Sequence, residues 1–147
     1  MLKITSPAFG HEGMIPKKYS CQGDDINPEL IIEGIPEGTK SLVLIMDDPD
    51  APIGTWDHWV VWNIDSSISN IEENSIPKEG IIGRNSWNRN DYGGPCPPSG
   101  THRYYFKLYA LDTKLTLEEK SNKKTVEKAI KDHVIEQAVL MGKYKKH

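Results

Sequence analysis

The chain has 147 residues, with 18 Lys and Arg against 21 Asp and Glu, a formal net charge of −3 and 27% charged residues. This length and balance describe one soluble domain, residues 1–147, able to bury roughly 68–70% of its unfolded surface without a metal or disulfide to hold it. They offer no basic footprint for a nucleic-acid backbone, and no apolar run approaches the roughly 18 residues of a membrane span, so neither partner is expected.

Residues 1–7 lack the apolar stretch of a signal peptide, and the chain is read as cytoplasmic. Twelve glycines and ten prolines, about 15% of the residues, predict many turns and hence many strands. Cys21 and Cys96 have no Cys-x-x-Cys spacing, so reduced thiols are the default; a bridge between them is the exception that hyperthermophile interiors permit. Residues 30–32 make a short strand candidate. Residues 41–46 are apolar on both faces and bounded by Pro36-Glu37-Gly38 and Asp47-Asp48-Pro49-Asp50-Ala51-Pro52, which reads as a buried central strand. Residues 59–63 read the same way, 81–82 are a shorter candidate, and the aromatic-rich stretch 102–111 is long enough to cross the domain. After about residue 115 the pattern becomes helical. Ser121 and Asn122 are candidate N-caps for 125–130; Val134, Ile135, Ala138, Val139 and Met141 then continue at spacings of three and four, with Gly142 placed as a C-terminal cap. The expectation is a mainly β, antiparallel β-sandwich carrying short C-terminal helices.

Polar and special residues collect at the ends of the three best strands. Asp48, Asp50 and Pro52 follow the first, His58 opens the second, and Gly93-Gly94-Pro95-Cys96-Pro97-Pro98-Ser99-Gly100 leads to His102, Arg103 and Tyr104 in the third. Neighbouring strands would bring these segments to one sheet edge, with the Gly/Pro stretch as a stiff wall. His58, His102 and the Tyr104 hydroxyl are candidate donors to an anion. Asp48 would repel a bare anion, so it either supports an imidazolium or meets an ammonium group on the same ligand. Asp50 and Arg103 are expected to brace the wall by an ion pair. His11, His133 and His147 lack such company and read as structural or solvated.

The run Asp48-Pro49-Asp50-Ala51-Pro52, then Trp56-Asp57-His58-Trp59-Val60-Val61-Trp62-Asn63, then Gly94-Pro95-Cys96-Pro97-Pro98-Ser99-Gly100-Thr101-His102-Arg103-Tyr104, strongly resembles the two signature regions of the phosphatidylethanolamine-binding protein family, also called Raf kinase inhibitor-like proteins. The likeness extends over Ser6-Pro7-Ala8-Phe9, Tyr19-Ser20-Cys21-Gln22-Gly23, Asn27-Pro28-Glu29-Leu30 and a final helix from His133 to Tyr144. Length and loop spelling are similar to the short bacterial and archaeal branch. The resemblance implies an antiparallel β-sandwich whose pocket binds a phosphate-like anion, with Asp48, Pro52, His58, Cys96, Pro97, His102 and Tyr104 around it. Cys96 departs from the glycine of the animal loop.

The function this implies is non-enzymatic: a binding and regulatory protein for a small phosphorylated ligand or phospholipid head group, and an inhibitor of a kinase or serine protease. No catalytic residue, metal or cofactor is assigned. The alternative is a metal-dependent or hydrolytic enzyme using Asp48, His58 and His102, which include the ligand types of a two-histidine, one-carboxylate iron site. Ser99 lacks the nucleophile elbow a hydrolase would need. Trp56, Trp59 and Trp62 favour core packing but leave room for a homodimer surface.

Overall fold

The structure, a computed structural model, describes all 147 residues. In chain order it has β1 (Lys3–Thr5), a single 3-10 turn (Lys17–Tyr19), β2 (Leu30–Glu33), β3 (Ser41–Asp48), β4 (Trp56–Ile64), β5 (Asn70–Ile71), β6 (Ile81–Ile82), β7 (Thr101–Leu111), α1 (Lys123–Ile130) and β8 (Val134–Lys145). A three-stranded sheet in the order β1-β2-β5 packs on a five-stranded sheet in the order β6-β4-β3-β7-β8, and every strand pairing is antiparallel.

Strand β3 is central, and all eight of its residues are buried. Successive side chains on a strand point to opposite faces, so its alternate positions feed two different cores. Leu42, Leu44 and Met46 join Trp59, Val61, Phe106, Leu108 and, from the smaller sheet, Ile4, Leu30 and Ile32 between the layers. Val43 and Ile45 meet Val60, Trp62, Leu111 and the α1 residues Val126 and Ile130 on the other face. Each such large apolar side chain contributes roughly 1.5–3 kcal/mol by leaving water. Helix α1 starts at Asn122, whose Oδ1 accepts from Thr125 N at 3.2 Å, one of the two caps expected.

Two expectations are corrected. Residues after His133 are not helical: Val134–Lys145 is a strand paired along its length with β7, from Thr101↔Lys145 to Leu111↔Val134. The apolar spacing that suggests a helix also fits a strand with a bulge at Ile135, beyond which Leu140, Gly142 and Tyr144 alternate inward. Gly142 is therefore no helix cap. A Cβ on it would come within 2.6 Å of Phe9 and Ile15, so glycine lets those side chains seal the sheet edge. The thiols are not free either. Cys21, just after the 3-10 turn, and Cys96, in the Gly/Pro loop, form a disulfide with their Cα atoms 5.4 Å apart, because the fold lays these segments side by side.

Strand β4 carries a second departure from regularity. Met46 pairs with Trp59 but Asp47 pairs with Asp57, which leaves His58 as an extra residue. Such a bulge lets neighbouring side chains share a face that the ordinary alternation would split between two.

Candidate functional site

The end of β3 and the starts of β4 and β7 meet at one edge of the larger sheet, and the loop 93–100 supplies a wall. A cavity of about 370 Å³ opens there, lined by Asp48, Pro52, His58, Cys96, Pro97, His102 and Tyr104, together with Ala51, Ile53, Trp56, Trp87 and Pro98. The structure thus brings together all the pocket residues inferred from the sequence.

Asp48 is almost wholly buried, and both its oxygens are engaged. Oδ1 accepts from Asp50 N at 2.7 Å and Oδ2 from His102 Nδ1 at 2.7 Å. A carboxylate can only accept here, so His102 carries its proton on Nδ1, and Nε2 is left without a protein partner. Of the two roles open to Asp48 from sequence, the geometry favours holding the imidazole. When His102 is protonated, Nε2–H becomes a second, charge-assisted donor.

His58 is held differently. Its Nδ1 lies 2.8 Å from the Gly93 carbonyl, which can only accept, so this ring also keeps Nε2 as its remaining nitrogen. Burial lowers the His58 pKa, outweighing the carbonyl contact and the nearby carboxylates, and at neutral pH the ring presents a bare acceptor. The two histidines that look alike in sequence are therefore unlike in chemistry, and His58 at neutral pH is not the anion donor expected from the sequence. The bulge explains the placement: it lets His58 share the inner face with its neighbour Trp59, while Asp57 stays on the opposite face beside Asp47.

Tyr104 lies fully inside, with its ring 5.2 Å from that of His58 and 6.5 Å from that of His102. Burial first, then the charge of Asp48, raises its pKa well above the usual phenol, so it stays protonated. Its hydroxyl is sealed and has no hydrogen-bond partner of ordinary geometry. A buried donor left unmatched is costly, and this one belongs to a residue of the cavity lining.

The wall is braced as expected. Arg103 donates to Asp50 from its Nε (2.9 Å), Nη2 (2.8 Å) and backbone N (2.9 Å). The guanidinium hydrogen bond holds the Asp50 carboxyl down at about 2, against the upward push of burial. Behind the sheet, the buried carboxylate of Asp47 is shared by Lys107 (2.9 Å) and Lys123 (2.8 Å), which keeps a second charge off the cavity face. Burial pushes the neighbouring Asp57 carboxyl up, against the pull of Lys123.

Trp87 was not among the residues singled out from the sequence. Its ring stands edge-on to His58 at 4.9 Å and to Trp56 at 5.6 Å, and it packs so closely on Gly93 that a Cβ there would meet it at 2.2 Å. Buried Asn85 positions it, accepting from Trp87 N (3.0 Å) and Arg89 N (3.1 Å). The available signal was a Trp in a turn-rich stretch, Asn85-Ser86-Trp87-Asn88, with no strand of its own. Trp56 also lines the cavity, whereas Trp59 and Trp62 are core. Among the other histidines, His133 pairs with Asp112 at 2.8 Å and His11 accepts from Met141 N at 3.1 Å, both away from this cavity.

A family model described as phosphatidylethanolamine-binding protein matches residues 5–145. A UPF0098 protein of Pyrococcus horikoshii is 49% identical over 155 residues, covering 99% of this chain and 77% of that one. A UPF0098 protein of Methanothermobacter thermautotrophicus is 44% identical over 150 residues, covering 99% of each. Among solved structures, a phosphatidylethanolamine-binding protein homologue from Chlamydia trachomatis superposes with a TM-score of 0.95 at 43% identity, covering 99% of this chain and 98% of that one. Escherichia coli YbcL, described as a member of the mammalian family, superposes with a TM-score of 0.92 at 29% identity, covering 99% of each chain. No helix of this chain is long and apolar enough to cross a membrane.

Proposed function

The chain belongs to the phosphatidylethanolamine-binding protein family, and from that premise we propose that its cavity takes a phosphate-like anion on a small organic group, a phosphomonoester or a phospholipid head group. The protein acts by this binding and not by catalysis, as a regulator that inhibits a kinase or serine protease. The observation that supports the reading most is His102: Asp48 holds its Nδ1 at 2.7 Å and leaves Nε2 without a protein partner, in a cavity walled by proline and tryptophan. An anion oxygen is the acceptor that an Nε2–H of the protonated ring meets, and the low-polarity walls strengthen the bond. Ser99 is exposed and outside the lining, so it does not stand beside the Asp48–His102 pair.

Calorimetric titration with inorganic phosphate and with phosphoethanolamine tests the reading. Binding that weakens roughly thirtyfold in His102→Asn supports it; no heat with either ligand overturns it. The oriented Asp48–His102 pair also has the form of a general base, so the same samples are assayed with p-nitrophenyl phosphate and p-nitrophenyl acetate. Turnover that disappears in His102→Asn would replace the binding reading with an enzymatic one.

A further inference from the structure

The cavity wall is tied to the rest of the protein in an uneven way. Its base is held by hydrogen bonds: Gly93 N to the His58 carbonyl (3.0 Å), Gly94 N to Asp25 Oδ1 (2.7 Å), and Cys21 N to the Pro95 carbonyl (3.0 Å). Tyr92 adds a fourth, from its hydroxyl to the Tyr19 carbonyl at 2.8 Å. Beyond Pro95 this support stops. No backbone–backbone hydrogen bond is made by residues 96–100, and Pro97 and Pro98 have no N–H to offer. Until β7 begins at Thr101, the cross-link from Cys96 to Cys21 and the packing of buried Pro97 are what fasten this segment to its neighbours. Cys96, Pro97 and Pro98 all line the cavity.

Both bridged residues are exposed. A thiolate attacking a disulfide needs open access to one sulfur, so buried bridges are shielded where exposed ones exchange. In the reducing cytoplasm expected from the sequence, a bridge in this position is no inert staple.

We propose that the Cys21–Cys96 disulfide is a thiol–disulfide exchange site through which a dithiol reductant loosens the cavity wall and weakens ligand binding. The inference rests on the cavity being the ligand site. In the exchange, a reductant thiolate attacks one sulfur and the S–S bond breaks. The other cysteine leaves as a thiolate and takes up a proton. The second reductant thiol then displaces the mixed disulfide. The protein gains two electrons and two protons as two thiols, and the reductant becomes a disulfide. The hydrogen bonds at residues 93–95 do not involve sulfur, so the base of the loop and the sheets remain while residues 96–100 are released. Linkage requires the converse effect: a ligand preferring the oxidised wall makes the bridge harder to reduce by the same factor.

The test uses the full chain in buffer without denaturant, with dithiothreitol as reductant and a maleimide to count thiols. Two thiols are expected to become reactive while the thermal melt stays cooperative. Backbone order parameters at Cys96, Ser99 and Gly100 are expected to fall below about 0.6 from the roughly 0.85 of rigid backbone. Phosphate affinity is expected to drop at least fivefold on reduction, and equally in Cys96→Ser without reductant. Thiols that react only in denaturant, order parameters unchanged by reduction, or an affinity indifferent to it would each overturn the proposal. Failure of the oxidised protein to bind phosphate at all refutes the ligand site instead, and the order parameters then decide alone whether the bridge controls the wall.

Discussion

Asp48 reaches Asp50 N with one oxygen and His102 Nδ1 with the other, both at 2.7 Å, so a single buried carboxylate sets the turn after β3 and the tautomer of a histidine 54 residues later in the chain. Neither oxygen is left without a partner. The negative charge beside the cavity is taken up in orientation, and the imidazole of His102 in the cavity lining is what it holds.

Tyr104→Phe separates binding from folding. The hydroxyl has no hydrogen-bond partner of ordinary geometry, so removing it is expected to leave the melting temperature unchanged or to raise stability by up to about 1 kcal/mol. Phosphate affinity is expected to stay unchanged, because the hydroxyl is sealed from the cavity. Melts and calorimetry on the same preparation check both.

His102 is tested with two substitutions. His102→Asn retains an amide donor for Asp48 but no Nε2, and is expected to keep the wild-type melt while losing roughly thirtyfold in phosphate affinity, about 2 kcal/mol. His102→Ala loses the same affinity and also strands a buried carboxylate, so it melts lower. Equal melts for the two variants would show that the Asp48 contact contributes nothing to the fold.

His58 makes stability depend on pH. Its folded pKa lies below 6.5, so its contribution is fully present above that value. As pH falls below 6.5 the unfolded chain binds a proton that the folded chain refuses, and stability declines by at most about 1.4 kcal/mol per pH unit until the lowered folded value is passed. His58→Asn, which retains a donor for the Gly93 carbonyl, is expected to flatten this slope in urea titrations between pH 7 and 5.

Asp50→Ala probes the brace. The Arg103 side chain is 48% exposed, which limits the expected loss to about 1 kcal/mol despite the multiple hydrogen bonds. The carboxyl is held below its usual 3.8, so its stabilisation is present above that pH and disappears as pH falls through about 2. Acid titration of wild type and variant should converge there.

Much of the site was legible because its residues sit in short runs beside strands whose patterns are unambiguous. The buried stretch ending in Asp48, the aromatic strand containing Tyr104 and the Pro-rich loop before it needed only adjacency of β3, β4 and β7 to converge. Trp87 escaped because its role comes from packing on Gly93 and His58, contacts that no local spacing records. The last strand was misread for a related reason. Val134, Ile135, Ala138 and Val139 keep partial exposure because β8 lies at the sheet edge, and pairing with β7, a tertiary event, settled what local periodicity left ambiguous. The disulfide stays open in the sequence for want of a distance: the residues allow a Cys21–Cys96 bridge but make reduced thiols the default, and only the fold brings together two cysteines 75 residues apart.

The extra residue at His58 carries a lesson for anyone transplanting this pocket into another β-sandwich. Copying the side chains alone onto a regular strand would force a choice: with Trp59 kept in the core, an imidazole one position before it would emerge beneath α1, among the lysines that serve Asp47, and Asp57 would turn inward. The insertion is thus a portable instruction, one residue long, and a graft that omits it inherits the motif without its geometry.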